Sequence, residues 1–150
     1  MIKIDNDGIT INNLLKTNIP KNEQTGAIVN FIGYVRDFDP NISNKNKFLE
    51  IEHYSGMTEK SLIEIEHKAL LKWDLIDINI IHRVGLIEIK NPIVFISVSS
   101  QHRNNAFEAC RFIIDSLKIC APFWKKEVSN NRSLWVEQKE SDLIKVKYTI

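Results

Sequence analysis

Only two of the 150 residues are cysteine, so no disulfide framework holds this chain together. It must be held by an apolar core instead, and a chain of this length is able to build one. Cys110 and Cys120 stand ten residues apart on a segment read below as a helix, about 15 Å along its axis. A bridge needs Cα atoms within roughly 7 Å, which excludes one between them. Both read as small buried apolar residues rather than reactive thiols. Neither a CxxC pair nor a zinc-like cluster is present. An excess of charge of one sign is missing too: 20 basic residues face 19 acidic ones, for a net charge of +1. That argues against a nucleic-acid coat or a polybasic membrane anchor. Basic and aromatic residues are not interleaved as in an RNA-binding domain. Any anion site must therefore be local, built from a few placed cations. No apolar run approaches the roughly 18–20 residues of a membrane span. The opening residues Met1–Gly8 carry acids early and no apolar core, unlike a signal peptide. The cytoplasm is the expected location. A Gly-rich phosphate loop, GxSxG and HExxH are all absent, which removes support from classical nucleotide folds and serine hydrolases.

What is present is average for a globular protein, with 43% hydrophobic and 26% charged residues. No repeat or low-complexity linker divides the chain, so one domain over residues 1–150 is expected. Residues 26–36 are rich in β-branched and aromatic types and predict a strand, with Gly33 marking a bulge or a close backbone approach. Residues 48–54 alternate as a second strand. Thr58 is placed to cap a helix to about Trp73, with Leu62, Ile65 and Ala69 on one face. Residues 76–83 and 92–99 predict two more strands, separated by a turn over Gly85–Asn91. A second helix is expected over 104–119, its apolar stripe being Ala106, Phe107, Cys110, Ile113, Ile114 and Leu117, with Pro122 ending it. Residues 123–128 and 134–138 read as a hairpin around a polar turn, and the tail 145–150 as an edge strand. The polar stretch 37–47 reads as a surface loop. The pattern predicts an α+β fold with a mixed or antiparallel sheet and two main helices.

Candidate chemistry falls at three junctions. Ser99–Asn105 joins a predicted strand to a helix start, where unpaired N–H groups and the positive end of the dipole favour anions. His102 and Arg103 add donors there, and the Arg fork fits phosphate oxygens. A phosphate pocket is one reading; a capped helix with a surface His-Arg pair is the other. Lys118 lies in the last turn of that helix and Lys125 just past the Pro122 turn. Two ammonium groups brought together would repel, easing deprotonation of one, or would hold an anion between them. Two solvated lysines satisfy the same sequence. Arg36 ends the first strand beside the polar loop, a common ligand position, unless it pairs with Asp37 or Asp39. His53 and the pair His82-Arg83 read as structural. Trp73, Trp124 and Trp135 read as core or interface residues, with Trp124 also able to flank a flat ring.

Five segments together resemble the large-subunit family of molybdopterin synthases. They are Gly26–Arg36, Leu49–Lys60, Ile81–Gly85, Ser100–Ala109 with Asp115–Lys118, and Ala121–Glu127, in family order over about residues 26–142. The resemblance implies an α/β hammerhead-type fold and an enzyme of molybdenum cofactor biosynthesis, a sulfurtransferase. Its partner is a small ubiquitin-like carrier whose C-terminal Gly-Gly thiocarboxylate enters a pocket of the large subunit. Its substrate is cyclic pyranopterin monophosphate, converted to the dithiolene of molybdopterin. A homodimer of large subunits, forming a heterotetramer with two carriers, is implied, and no metal or other cofactor for this step. By position, Lys118 and Lys125 look like the family's essential lysines, and Arg36, His102 and Arg103 like its anion-binding residues. Lys139 matches a further basic position that is often arginine; lysine keeps the charge and loses the fork. A binding module that holds a phosphate or scaffolds the carrier is the competing reading, and it has no evident need of both lysines.

Overall fold

A computed structural model of the chain describes residues 1–17, 22–38, 41, 47–129 and 132–136. Eight strands and three helices follow one another as β1 (Ile2–Asp5), α1 (Ile11–Thr17), β2 (Ala27–Tyr34), β3 (Lys47–His53), α2 (Met57–Lys72), β4 (Asp77–Arg83), β5 (Gly85–Glu88), β6 (Pro92–Ser100), α3 (Arg103–Cys120), β7 (Phe123–Ser129) and β8 (Arg132–Trp135). The strands form two sheets, ordered β1-β4-β6-β2 and β5-β3-β7-β8. Among the described residues only β1 and β4 pair in parallel; the other pairings are antiparallel. The α+β class and the two main helices agree with the sequence pattern. The strands, however, divide between two sheets instead of lying in one.

The central strands β4 and β6 are buried along nearly their whole length, around Ile78, Ile80 and Ile81 in β4 and Val94, Phe95 and Ile96 in β6. Leu62, Ile65 and Ala69 of α2 and Ala109, Cys110, Ile113 and Leu117 of α3 close over Ile78, Ile80, Val94, Ile96 and Val98. Burying each large aliphatic side chain contributes roughly 1.5–3 kcal/mol, so this face holds the first sheet to its helices. A second core of Val35, Leu49, Ile51, Val84 and Ile87 lies under the other sheet. Phe123 and Ile4 pack against both cores.

Three short elements escape the sequence pattern: β1, α1 and β5 have 4, 7 and 4 residues. The expected turn over Gly85–Asn91 contains β5. Gly85, at φ +82, breaks the chain sharply so that β5 leaves the sheet of β4 and pairs with β3. Gly33 meets both of its expectations: the β2–β6 register shifts between Gly33 and Tyr34, and a Cβ on Gly33 would lie 2.8 Å from Val94 Cγ1. Thr58 is not the cap of α2. Gly56, at φ +84, stands there, and its N–H donates to Glu59 Oε2 at 2.6 Å. The Thr58 hydroxyl is buried and donates to the Tyr54 carbonyl at 3.0 Å. Phe107 is 62% exposed and leaves the α3 stripe to Ala109. Cys120 is exposed, whereas Cys110 is buried as expected, its thiol pushed up to about 11 by burial. The tail strand at 145–150 and part of the 37–47 loop lie outside the described residues.

Candidate active site

Helix α3 organises the site because both of its ends are junctions. At its start, β6 delivers the chain through Gln101 and His102. His102 is the N-cap and supplies no side-chain cap bond, so that role stays open for another acceptor. His102 and Arg103 are exposed. The backbone beneath them is fixed. The buried Ser100 hydroxyl donates to the Asp74 carbonyl at 2.7 Å and accepts the His102 N–H at 3.3 Å. The Gly26 N–H donates to the Ser100 carbonyl at 3.1 Å. Gly26 is required by contact: a Cβ there would stand 2.2 Å from the Gln101 carbonyl oxygen.

At its far end α3 turns through Ala121 and Pro122 into β7, with the Phe123 N–H donating to the Ala121 carbonyl at 2.8 Å. Lys118 lies three residues before this link and Lys125 three after it, on different elements at one corner. Lys118 is exposed and Lys125 half-buried. Beside them opens a cleft of about 500 Å³, lined by Cys120, Pro122, Trp124, Lys125, Trp135 and Val136 among others. Trp124 and Trp135 are both exposed and supply flat apolar walls. Lys126 lies over the Trp135 ring at 5.2 Å. Trp73 is different: half-buried, it donates from Nε1 to Glu108 Oε2 at 2.9 Å and packs against Phe112.

Topology decides which cations share a neighbourhood. Strand β2 runs antiparallel to β6, with Ala27 opposite Ser100 and Tyr34 opposite Pro92. Helix α3 leaves β6 at Ser100 and runs back over β6 and β2. Its 18 residues cover about 27 Å, close to the length of β6. Arg36, two residues beyond β2 and exposed, therefore lies at the same end as Lys118 and Lys125. His102 and Arg103 lie at the other end. Arg103 and Lys118 are fifteen residues apart on one helix, about 22 Å. Lys139 lies outside the described residues.

His82 is structural, as the sequence suggested. It is buried and stacks on Phe123, with ring centroids 3.8 Å apart and planes at 14°. Its Nδ1 lies 2.8 Å from the Arg83 carbonyl, so the proton sits on Nδ1 as donor. Burial, with help from the nearby charges of Lys125 and His53, pushes its pKa down to about 3. A neutral ring thus lies beneath the strand that carries Lys125. His53, opposite Phe123 across β3 and β7, has a buried Nδ1 with no partner among the described residues. One residue was missed outright. Lys47, assigned to the polar loop, begins β3 and is 0% exposed, its ammonium 2.6 Å from Asp37 Oδ1. Period-two spacing held the signal, because Lys47, Leu49 and Ile51 share the inward face. Among the described residues no group of three or more His, Cys, Asp or Glu side chains is placed to hold a metal ion, and no helix is long and apolar enough to cross a membrane.

The chain is thus an α+β protein with cations at both ends of one helix and a cleft at the lysine end. Known proteins narrow the class. The family model described as MoaE protein matches residues 4–119. The molybdopterin synthase catalytic subunit of Vibrio cholerae is 47% identical over 124 residues, which are 83% of this chain and 81% of that one. Among solved structures, the molybdopterin biosynthesis MoaE protein of Burkholderia ambifaria superposes with a TM-score of 0.80 at 35% identity, covering 99% of this chain and 97% of that one. The molybdopterin synthase of Staphylococcus aureus gives 0.78 at 35%, covering 89% and 95%. The chain belongs to the MoaE family.

Proposed function

We propose that this chain is the catalytic subunit of a molybdopterin synthase and transfers sulfur from a thiocarboxylated small carrier to cyclic pyranopterin monophosphate. The observation that carries the reading is the corner at the end of α3. There, two lysines from different elements stand beside a cleft walled by two tryptophans. An acyl thiocarboxylate and a phosphorylated pterin are both anionic, and both meet cations here. Arg36, His102 and Arg103 bind the phosphate. The carrier sulfur attacks the pterin side-chain carbon, and the cyclic phosphate opens as its carbon–oxygen bond breaks; water then cleaves the acyl–sulfur bond, releasing the carrier as its carboxylate, and a second carrier delivers the second sulfur. Lys118 and Lys125 stabilise the developing negative charge and move protons. Lys118 also faces the carrier's terminal carbonyl. The carrier's flexible Gly-Gly tail enters this cleft, and Lys139 contributes a further positive charge.

The separation of about 22 Å along α3 adds a requirement. One phosphate cannot be held by Arg103 and also lie beside Lys118 of the same chain. A homodimer meets the requirement if His102 and Arg103 of one copy complete the lysine corner of the other. With two carriers bound, the assembly is a heterotetramer.

The test is single-turnover conversion of cyclic pyranopterin monophosphate with a thiocarboxylated carrier. Wild type yields dithiolene, while Lys118→Ala and Arg103→Ala each yield little. Mixing the two inactive variants restores product only if the sites are shared between copies, because each mixed dimer then holds one intact site. Carrier binding without product from wild type would instead indicate a binding module.

A further inference from the structure

We infer that Lys47 is a positioning residue for Arg36, acting through Asp37; this rests on the reading of Arg36 as a phosphate-binding residue. A lysine with no exposed surface is costly unless its charge is matched. Lys47 is matched by Asp37 Oδ1 at 2.6 Å, and its ammonium lies 5.9 Å from the centre of the Phe38 ring. Both partners come from the segment that follows Arg36. On the other side, Val35 is buried and doubly bonded: its N–H donates to the Asn91 carbonyl at 2.9 Å, and its carbonyl accepts the Lys90 N–H at 2.8 Å. Arg36 thus stands between two anchored neighbours. The first anchor is the Lys90–Asn91 turn and the second is β3 of the other sheet. With Val35 held by two backbone bonds and Asp37 by its carboxylate, Arg36 is restrained from both sides, although its side chain remains exposed.

The pair also has an electrostatic effect. Asp37 is the acid nearest to Arg36 in sequence and would otherwise compete with a phosphate for the guanidinium. Lys47 engages its Oδ1 at 2.6 Å instead. An ion pair contributing only to stability could sit anywhere along β3. This one stands at the strand's first residue, where it reaches the chain next to a candidate ligand-binding cation.

Binding of cyclic pyranopterin monophosphate by calorimetry, with thermal midpoints measured in parallel, tests this on a mutant cycle. Arg36→Ala should weaken binding on the order of tenfold or more, as expected for loss of a charge-assisted contact. Asp37→Asn and Lys47→Met should each weaken it roughly threefold or more in the wild-type background and add nothing in the Arg36→Ala background. Asp37→Glu, which keeps the carboxylate, should restore most of the affinity. Asp37→Asn keeps the test open should Lys47→Met fail to fold. Equal losses in both backgrounds, or a lowered midpoint with unchanged affinity, would overturn the positioning role while leaving Arg36 in place. If Arg36→Ala itself binds normally, the phosphate role of Arg36 falls, and the positioning role falls with it.

Discussion

The two ends of α3 both carry cations and are built in opposite ways. At the start, His102 and Arg103 project from a backbone locked by Gly26, Ser100 and Asp74, all within or beside the first sheet. At the far end, Lys118 and Lys125 stand on either side of the turn between the helix and the second sheet, where an open cleft lined in part by Lys125 begins. The first end suits a rigid grip on an anion. The second joins elements from two layers and leaves an open cleft between them. The difference teaches that the two groups of cations rest on separate supports, one a locked strand-to-helix junction and the other a turn between layers. A disturbance at one end should leave the other intact.

The largest effect should come from the lysine end. Lys118→Ala should lower turnover about 10²–10⁴-fold with little change in KM, as for loss of a group acting in the transition state. Arg103→Ala should chiefly raise KM, about tenfold, in steady-state assays. A matching split for the two variants would erase the contrast between the ends. Next comes Gly26→Ala, whose Cβ would meet the Gln101 carbonyl. It should destabilise the fold by about 1–3 kcal/mol in urea denaturation and weaken phosphate binding. Lysine-dependent proton transfer should be unchanged at saturating substrate.

His82 tests the lysine end through pH. Unfolded, it takes a proton near pH 6.5; folded, only near 3. The unfolded state therefore binds more protons between these values, and stability falls as pH drops through that window. About 2 kcal/mol should be lost between pH 7 and pH 5, and His82→Phe should flatten that slope in urea titrations at the two pH values. Asp5, whose carboxyl is held low chiefly by its bond from Lys3, loses its contribution as pH falls below about 3.8 and so does not disturb the span from pH 7 to pH 5. The smallest effect should be Trp73→Phe, which removes the N–H bond to Glu108 on the flank of α3. About 0.5–1 kcal/mol is expected, with no kinetic change at either end.

Long elements with a regular period were legible in the sequence. The α2 face of Leu62, Ile65 and Ala69 appears where the pattern puts it because burial of one face imposes that period, and β4 and β6 appear where their β-branched residues put them although both of their faces are buried. Phe107 was misplaced because it borders the apolar stripe, and the close helix–sheet contact admits the smaller Ala109 there. Elements of four residues such as β1 and β5 are too short to show a period, and tertiary pairing alone defines them. The cations were visible as residues at element ends, but their distribution was not. Arg36 and Lys118 are far apart in sequence and share an end, whereas Arg103 and Lys118 share a helix and lie at opposite ends. Only the antiparallel return of α3 over β6 reveals this. Lys47 was hidden by composition: surrounded by Asn and Lys, it looked solvated, while its strand register faced inward.

Phe123 has a consequence for how the molecule comes apart. Its ring stacks on His82 of the first sheet, it begins a strand of the second, and it packs against both apolar cores, as Ile4 also does. Neither core can melt without stripping contacts from a side chain that the other still needs. Heating should therefore give one sharp transition rather than two. Lys125, two residues along the same strand, inherits that shared rigidity and keeps its place until the whole structure gives way.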